Sequence, residues 1–403
     1  PRVVGGIARV VHDLSHRLIK DGHEVTVVTY KEGNVEDFED DNGVKVYRVN
    51  NYMINPNNFI DWIMQLNFNL ISKATEIINK EGPFDVIHAH DWLVAYAAKT
   101  LKDSFKTPII ATIHATEAGR NSGIHDEVQR YINDTEWMLT YESTEVIVNS
   151  NYMKSELQRL FGLPYEKINV VPNGVNLNLY NGVEKDYNFR RQYAADNEKI
   201  ILYVGRLVYE KGIQNLIAAM PKVLNGYHDS KLIIAGKGGM IDELKAQVNA
   251  MGISNKVYFA GYMNGKDVQK MYKAADVAVF PSTYEPFGIV ALEAMLSENP
   301  IVVSDIGEQW SPKTLPANVA AREESSNSGQ IDWATGIIIG IKIPKVPHEV
   351  PVEKLKNAAS INTSAGSKAP GSPVVSIKVF TKTGVLSKSR HTPPIVHASI
   401  SIQ

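Results

Sequence analysis

Short β-branched runs and amphipathic helical stretches alternate along most of this chain. Residues 5–18 set Ile7, Val10, Val11, Leu14 and Leu18 at helical spacing, and Gly22 closes the pattern. Residues 25–29 and 44–49 read as strands, and 59–78 as a long amphipathic helix with Trp62, Leu66, Leu70 and Ile77 on its apolar side. Strands follow at 84–89, 108–113, 145–149 and 168–171, with helices after 92, at 127–141 and at 150–161. Ser150 is placed as an N-cap. After a polar, broken linker at 173–197 the alternation resumes, with strands at 200–204, 232–235, 257–259, 277–280 and 301–303. Helices around 213–223, 241–250, 268–272 and 289–296 separate them. Strands alternating with helices predict parallel sheets covered on both faces. The fold class is α/β, with two Rossmann-like units of similar size facing a cleft.

Two places break the rhythm. A glycine pair that opens a helix usually follows a strand, but only residues 1–4 precede Gly5 and Gly6. The chain begins with Pro1 rather than Met, and truncation with a gap in the first sheet is expected. Beyond Gly307 leucine becomes scarce and no helical period survives. Runs at 337–341 and 374–380 could be strands, yet nothing alternates with them, so this segment reads as a poorly ordered tail. The expected division is 1–175, 176–307 and a tail over 308–403.

Composition narrows the classes. A length of 403 residues calls for two domains, and 44% hydrophobic with 21% charged residues is ordinary for a soluble globular chain. A formal net charge of −2 gives a nucleic-acid partner no electrostatic support. With no cysteine, disulfides, thiol nucleophiles and thiolate metal sites are excluded. No apolar run approaches the roughly 18–20 residues of a membrane helix, and no signal peptide is visible. Membrane association is not indicated, and a cytoplasmic location is expected.

Candidate chemistry gathers where strands end, which is where open α/β sheets bind ligands. Gly5 and Gly6 open the first helix; His90 and Asp91 follow one strand and His114 the next. Gly205 and Arg206, with Lys211 five residues on, follow the first strand of the second unit. Arg206 as a fork and Lys211 as a point charge suit one polyphosphate. The stretch P-S-T-Y-E-P-F-G-I-V-A-L-E-A-M at 281–295 puts Glu285 on a turn and Glu293 two turns into a helix. The first amides of a helix lack internal partners, so such a turn can hold an anion. His88 reads as structural. A metal set of His90, His114 and Asp91 matches no compact zinc pattern, and no metal is assigned. No G-x-S-x-G, Walker loop or H-E-x-x-H occurs.

V-G-G-I-A-R-V, H-A-H-D-W, T-I-H-A-T-E and V-P-N-G-V lie in the first unit; V-G-R-L-V-Y-E-K-G, A-D-V-A-V-F-P-S and E-P-F-G-I-V-A-L-E-A-M lie in the second. In this order they resemble the retaining glycosyltransferases of the GT-B fold, family 4, and within them glycogen or starch synthase-like enzymes, over residues 1 to about 306. The resemblance implies transfer of a hexose, with glucose expected, from a UDP-, ADP- or GDP-sugar to a carbohydrate or other hydroxyl acceptor, without a cofactor or an obligatory metal. It implies that Arg206 and Lys211 neutralise the diphosphate, that Glu285 lies by the sugar, and that the amides of Phe287, Gly288 and Ile289 meet sugar or phosphate. Glu293 would take the ribose hydroxyls, and Gly5 and Gly6 would approach the diphosphate from the other domain. His90 and His114 would face the donor sugar and the acceptor side, with Asp91, Glu117 and Arg120 toward the acceptor. Synthase members carry a lysine before the glycine pair; here Val3-Val4 stands there, with Arg2 the nearest cation. A nucleotide-sugar 2-epimerase of the same architecture and an inactive fragment are the alternative readings.

Overall fold

The structure, a computed structural model, describes residues 6–50, 56, 58–176, 180, 182–263, 265–306, 338–342 and 377–380. The chain opens with α1 (Ile7–Lys20), β1 (Glu24–Tyr30), β2 (Phe38–Asp41), β3 (Val44–Val49) and α2 (Phe59–Glu81). Next come β4 (Val86–His90), α3 (Ala95–Phe105), β5 (Ile109–Ile113), α4 (Glu117–Arg120) and α5 (Glu127–Glu142). β6 (Glu145–Val148), α6 (Asn151–Phe161) and β7 (Ile168–Val170) complete the first unit's run. After α7 (Tyr187–Arg191), the second unit alternates β8 (Lys199–Val204), α8 (Ile213–Gly226), β9 (Ser230–Ala235), α9 (Ile241–Ala250) and β10 (Val257–Gly261). It continues with α10 (Gly265–Ala274), β11 (Val277–Phe280), α11 (Ile289–Leu296) and β12 (Ile301–Ser304). Two strands follow from the tail, β13 (Ile338–Lys342) and β14 (Ile377–Phe380).

The predicted alternation therefore holds, with bounds shifted by a few residues. Two elements were not foreseen. β2, reading F-E-D-D, has no apolar run; it is a strand because the Asn42-Gly43 turn folds it back antiparallel on β3. α4 is a single turn capped by Thr116, whose hydroxyl accepts from the Gly119 amide. Ser150 caps α6 as expected, accepting from the Met153 amide.

The first sheet runs β2-β3-β1-β13-β4-β5-β6-β7 and the second β10-β9-β8-β11-β12-β14. Within each, the strands of the alternating series are parallel except β2. Buried strands on both faces explain the continuous apolar runs: Ile200 and Leu202 of β8 pack on one side, Ile201 and Tyr203 on the other. In the first unit Leu66 and Leu70 of α2 and Leu101 of α3 cover Ile87, Ile109 and Ile113.

The expected gap in the first sheet is corrected. β13 fills the slot between β1 and β4, antiparallel to both. Its sequence, I-I-G-I-K, supplies apolar residues to both faces: Ile338 joins the core under α2 and α3, while Ile339 and Ile341 join Val11, Val25 and Val27 under α1. An interior slot leaves two rows of backbone amides and carbonyls unpaired, and any strand able to bond both neighbours removes that penalty. β14 pairs antiparallel with the edge strand β12. The tail thus includes both runs read as candidate strands; its remaining residues, and Gly5, lie outside those described.

Because Ile339 is fully buried, Ile339→Ala is expected to lower the stability of the first unit by about 2–5 kcal/mol in urea unfolding. An unchanged midpoint would mean that this strand does not occupy the sheet.

Candidate active site

In each sheet the chain reverses its direction of winding beside the candidate residues. In the second sheet that point lies between β8 and β11, and the ligand crevice of such sheets opens beyond the carboxyl ends there. Gly205 and Arg206 leave β8, and Glu285 sits on the turn after β11. Lys211 Nζ donates to Glu285 Oε2 at 2.7 Å, and Ser282 Oγ donates to the same oxygen at 3.2 Å. Arg206 pairs with Glu210 at 3.3 Å and stays partly open to solvent. A small cavity lies between Ser282, Glu285 and Gly288 on one side and Val303, Ser304 and Ile306 on the other. Gly288 caps α11 at φ 84°, a conformation that costs residues with a Cβ about 1–2 kcal/mol. Phe287, behind it, packs on the second unit's core.

The first unit contributes a histidine stack. His88 and His90 extend from one face of β4, and His90 Nδ1 lies 3.1 Å from His114 Nε2. His88 Nε2 bonds Thr112 Oγ1 at 2.7 Å. All three are buried. Burial holds His88 down at about 3, pulls His90 well below its ordinary value with His88 and His114 adding to the effect, and lowers His114 against the opposing pull of Asp91. Asp91 stands at φ 59°, an uncommon conformation for a non-glycine residue, and its Oδ1 accepts the His114 amide at 2.7 Å. Beside it Glu117 and Arg120 pair at 3.5 Å. The buried Glu136 carboxyl accepts the Glu117 amide through both oxygens and is pushed up to about 8 by burial, against the opposing pull of Arg120.

The two units meet through the 281–295 stretch. Tyr284, next to Glu285, inserts into the first unit's core. Its hydroxyl accepts the Thr116 amide at 3.2 Å and donates to Glu156 Oε1 at 2.8 Å. Thr116 Oγ1 donates to the same carboxylate oxygen at 2.6 Å. Gly119 lies flat against the tyrosine ring, where an added Cβ would come within 2.3 Å. The Pro286 carbonyl accepts Ser150 Oγ at 2.9 Å. The starts of α1 and α11 also touch: a Cβ on Gly6 would lie 2.9 Å from Ile289 Cδ1. One turn into α1, Arg9 bonds the buried Glu293, whose carboxyl burial raises and Arg9 pulls down.

The structure thus groups the predicted residues in three sets: Lys211 with Glu285, His90 with His114 and Asp91, and Gly6 with Ile289 and Glu293. Glu117 and Arg120 border the histidine set. Arg206 is paired with Glu210, the residue directly before Lys211. Sequence reasoning missed Arg9, Tyr284, Glu136 and Glu156. Arg9 lay inside the V-G-G-I-A-R-V motif and Tyr284 directly before Glu285, but their partners come from distant segments.

Two α/β units whose parallel sheets present strand ends and helix starts to one another define the GT-B glycosyltransferase fold. Residues 4–179 match Glycosyltransferase Family 4, and residues 185–309 match Glycosyl transferases group 1. An uncharacterized glycosyltransferase of Methanocaldococcus jannaschii is 42% identical over 318 residues, 76% of this chain and 78% of that protein. A glycogen synthase of Mycobacterium tuberculosis is 34% identical over 76% of each chain. Among solved structures, sucrose-phosphate synthase from Thermosynechococcus elongatus superimposes with a TM-score of 0.65 at 26% identity, covering 75% of this chain and 76% of that one. The chain belongs to the family 4, group 1 glycosyltransferases and is a transferase.

Two outcomes follow from the geometry. Gly119→Ala is expected to destabilise the protein by about 1–3 kcal/mol through overpacking on the Tyr284 ring. In a Tyr284→Ala background that cost should largely vanish; equal costs in both backgrounds, measured by a double-mutant cycle, would show that the ring does not dock there. The lowered histidine values carry a pH signature. Unfolded, each histidine takes up a proton near its ordinary 6.5; folded, His88 does so only near 3. Their stabilisation is complete above that ordinary value and is lost as pH falls below it. Urea midpoints measured from pH 7 to 5 should fall, and His88→Gln should make the slope shallower by about 1.4 kcal/mol per pH unit.

Proposed function

We propose that this glycosyltransferase moves a hexosyl group, glucosyl in the first instance, from a nucleotide diphosphate sugar to a carbohydrate hydroxyl with retention at the anomeric carbon. The observation that carries the reading is the 281–295 stretch. It holds Glu285 against Lys211, Glu293 against Arg9, and the start of α11 against the start of α1. A diphosphate leaving group gathers negative charge as its bond to the anomeric carbon breaks. Cations and unpaired helix-start amides fixed around that charge are the means by which a protein stabilises it. Lys211 and Arg206 take the diphosphate from the second unit, and the amides from Gly6 onward take it from the first. In this reading Glu285, relieved of Lys211 by the diphosphate, faces the positively charged sugar ring, and Glu293 holds the ribose hydroxyls.

The new bond from the acceptor oxygen to the anomeric carbon forms on the face the phosphate leaves, and the acceptor's proton passes to the leaving phosphate oxygen. His90, His114 and Asp91 line the first unit's side of this space. Burial keeps the histidines neutral, so they act there as hydrogen-bond partners of sugar hydroxyls rather than as cations. The 34% identity to a glycogen synthase favours a glucan as acceptor. Among the described residues no helix is long and apolar enough to cross a membrane, and the absence of cysteine suits a reducing compartment. We place the reaction in the cytoplasm, with no cofactor required.

The test incubates the full chain with UDP-, ADP- or GDP-glucose and glucan oligosaccharides, following nucleotide release and product anomer by NMR. A retained α-linkage is expected with one of these donors. Lys211→Ala and Glu285→Gln, checked for folding by circular dichroism, should each lower kcat/KM by about 100–1,000-fold. Unchanged rates would remove these residues from the mechanism. Epimerised donor without a glycosylated acceptor would replace the transfer reading altogether.

A further inference from the structure

Away from the cleft, α1 carries His12 and His16 one turn apart, on the side that meets the β2–β3 hairpin. Asp41 ends β2 at the mouth of the Asn42-Gly43 turn, directly opposite Val44, so the hairpin delivers its carboxylate to α1. Asp41 Oδ2 lies 3.2 Å from His16 Nε2 and 3.6 Å from His12 Nε2. One ligand atom from each of the three residues falls within a single 4.8 Å cluster.

The far side of each ring decides what these atoms are. His16 Nδ1 faces the His12 carbonyl oxygen at 2.8 Å, and His12 Nδ1 faces Asp13 Oδ1 at 3.0 Å. Both partners only accept, so each Nδ1 carries a hydrogen and donates. In the neutral form an imidazole has one N–H, so with Nδ1 donating each Nε2 presents a lone pair. Two lone pairs and a carboxylate oxygen then point at one spot. Asp41 is 6% exposed, and both its Oδ2 and His16 Nε2 are shut off from solvent without a hydrogen bond. Asp41 Oδ1 is occupied by the Asn42 side-chain amide at 3.0 Å.

Three acceptors facing one another repel unless a cation lies among them. A proton on one imidazole would satisfy one contact and leave the other ring facing the carboxylate with its lone pair. A divalent ion satisfies all three at once. For a tetrahedral ion with bonds of about 2.0–2.2 Å, ligand atoms stand roughly 3.3–3.6 Å apart; Asp41 Oδ2 already lies 3.2 and 3.6 Å from the two nitrogens, and all three atoms fall within 4.8 Å of one another. Nδ1–H groups held by a carbonyl and a carboxylate are also the usual outer support of metal-bound histidines.

We propose that His12 Nε2, His16 Nε2 and Asp41 Oδ2 form a structural site for a divalent transition metal of the zinc class, with water as the fourth ligand. Two imidazoles and one carboxylate suit zinc, cobalt or nickel better than magnesium or calcium. The ion clamps α1 to the hairpin at the edge of the first sheet. α1 is the helix whose first turns bring Gly6 and Arg9 to the cleft, so the clamp fixes that helix from behind. The site escapes a sequence reading because Asp41 follows His16 by 25 residues and sits on a strand with no apolar pattern.

The test strips the full chain with EDTA and titrates it with Co2+, read by visible absorption, and with Zn2+ in competition with a chromophoric chelator. One equivalent is expected to bind with the intense bands of a tetrahedral cobalt site, and saturating Zn2+ should raise the melting temperature. Asp41→Asn and the double variant His12→Gln/His16→Gln should each weaken binding by about 100-fold or more while keeping the wild-type circular dichroism. Because both histidines are partly exposed on a helix surface, the double variant tests the ligands without emptying a core. Failure of the wild type to bind Co2+ or Zn2+ at micromolar concentration would overturn the proposal. So would undiminished binding in the double variant, or, with no metal bound, a stability advantage of the wild type over the double variant that grows on acidification, which would assign the cluster to a protonated pair.

Discussion

Tyr284 is the contact on which the rest of the site depends. It belongs to the second unit by sequence and to the first unit's core by position. Burying a side chain of this size contributes roughly 1.5–3 kcal/mol, and the two hydrogen bonds to its hydroxyl remove the cost of placing an O–H there. An anchor of that kind leaves the adjacent residue little freedom. Glu285 is the adjacent residue, and Pro286 is tied to Ser150 one position further on. The turn that carries the acidic group is therefore positioned by the opposite domain, not only by the strand that leads into it. Withdrawing one unit from the other at this point would expose the ring and leave the Thr116 amide without its acceptor.

The charges of the cleft are arranged under the same constraint. Lys211 is paired with Glu285, Arg206 with Glu210 and Arg9 with Glu293. A half-buried cation without a partner is costly, so each is held beside a carboxylate. Under the proposed reading, a diphosphate brings more negative charge than any one of these carboxylates and competes with them for the cations, so the release of Glu285 from Lys211 would follow from occupancy of the site. The histidine stack on the other wall follows the opposite logic, because burial outweighs the pull of Asp91 on His114 and keeps the stack uncharged.

Most of the fold was legible along the chain, because burial on both faces of a parallel sheet demands apolar runs and the covering helices demand a 3.6-residue period. The strands β4, β5, β8 and β11 and the candidate site positions at their ends could be placed on that basis. The same reasoning expected a gap in the first sheet, and β13 fills the slot between β1 and β4. A run such as I-I-G-I carries no information about which of two sheets it will join, or in which direction. Backbone pairing with β1 on one side and β4 on the other settles both.

By itself the sequence determined the two α/β units, the succession of strands and helices along the chain, and the identity of the polar residues at the strand ends, since these depend on local periodicity and on turn chemistry. Only the tertiary structure decided which of those residues meet. Arg9 and Glu293 are separated by 284 positions and Thr116 and Tyr284 by 168, and His16 and Asp41 join through a hairpin whose strand has no hydrophobic signature. Such pairings are set by the docking of one packed surface on another, and no local pattern along the chain encodes them.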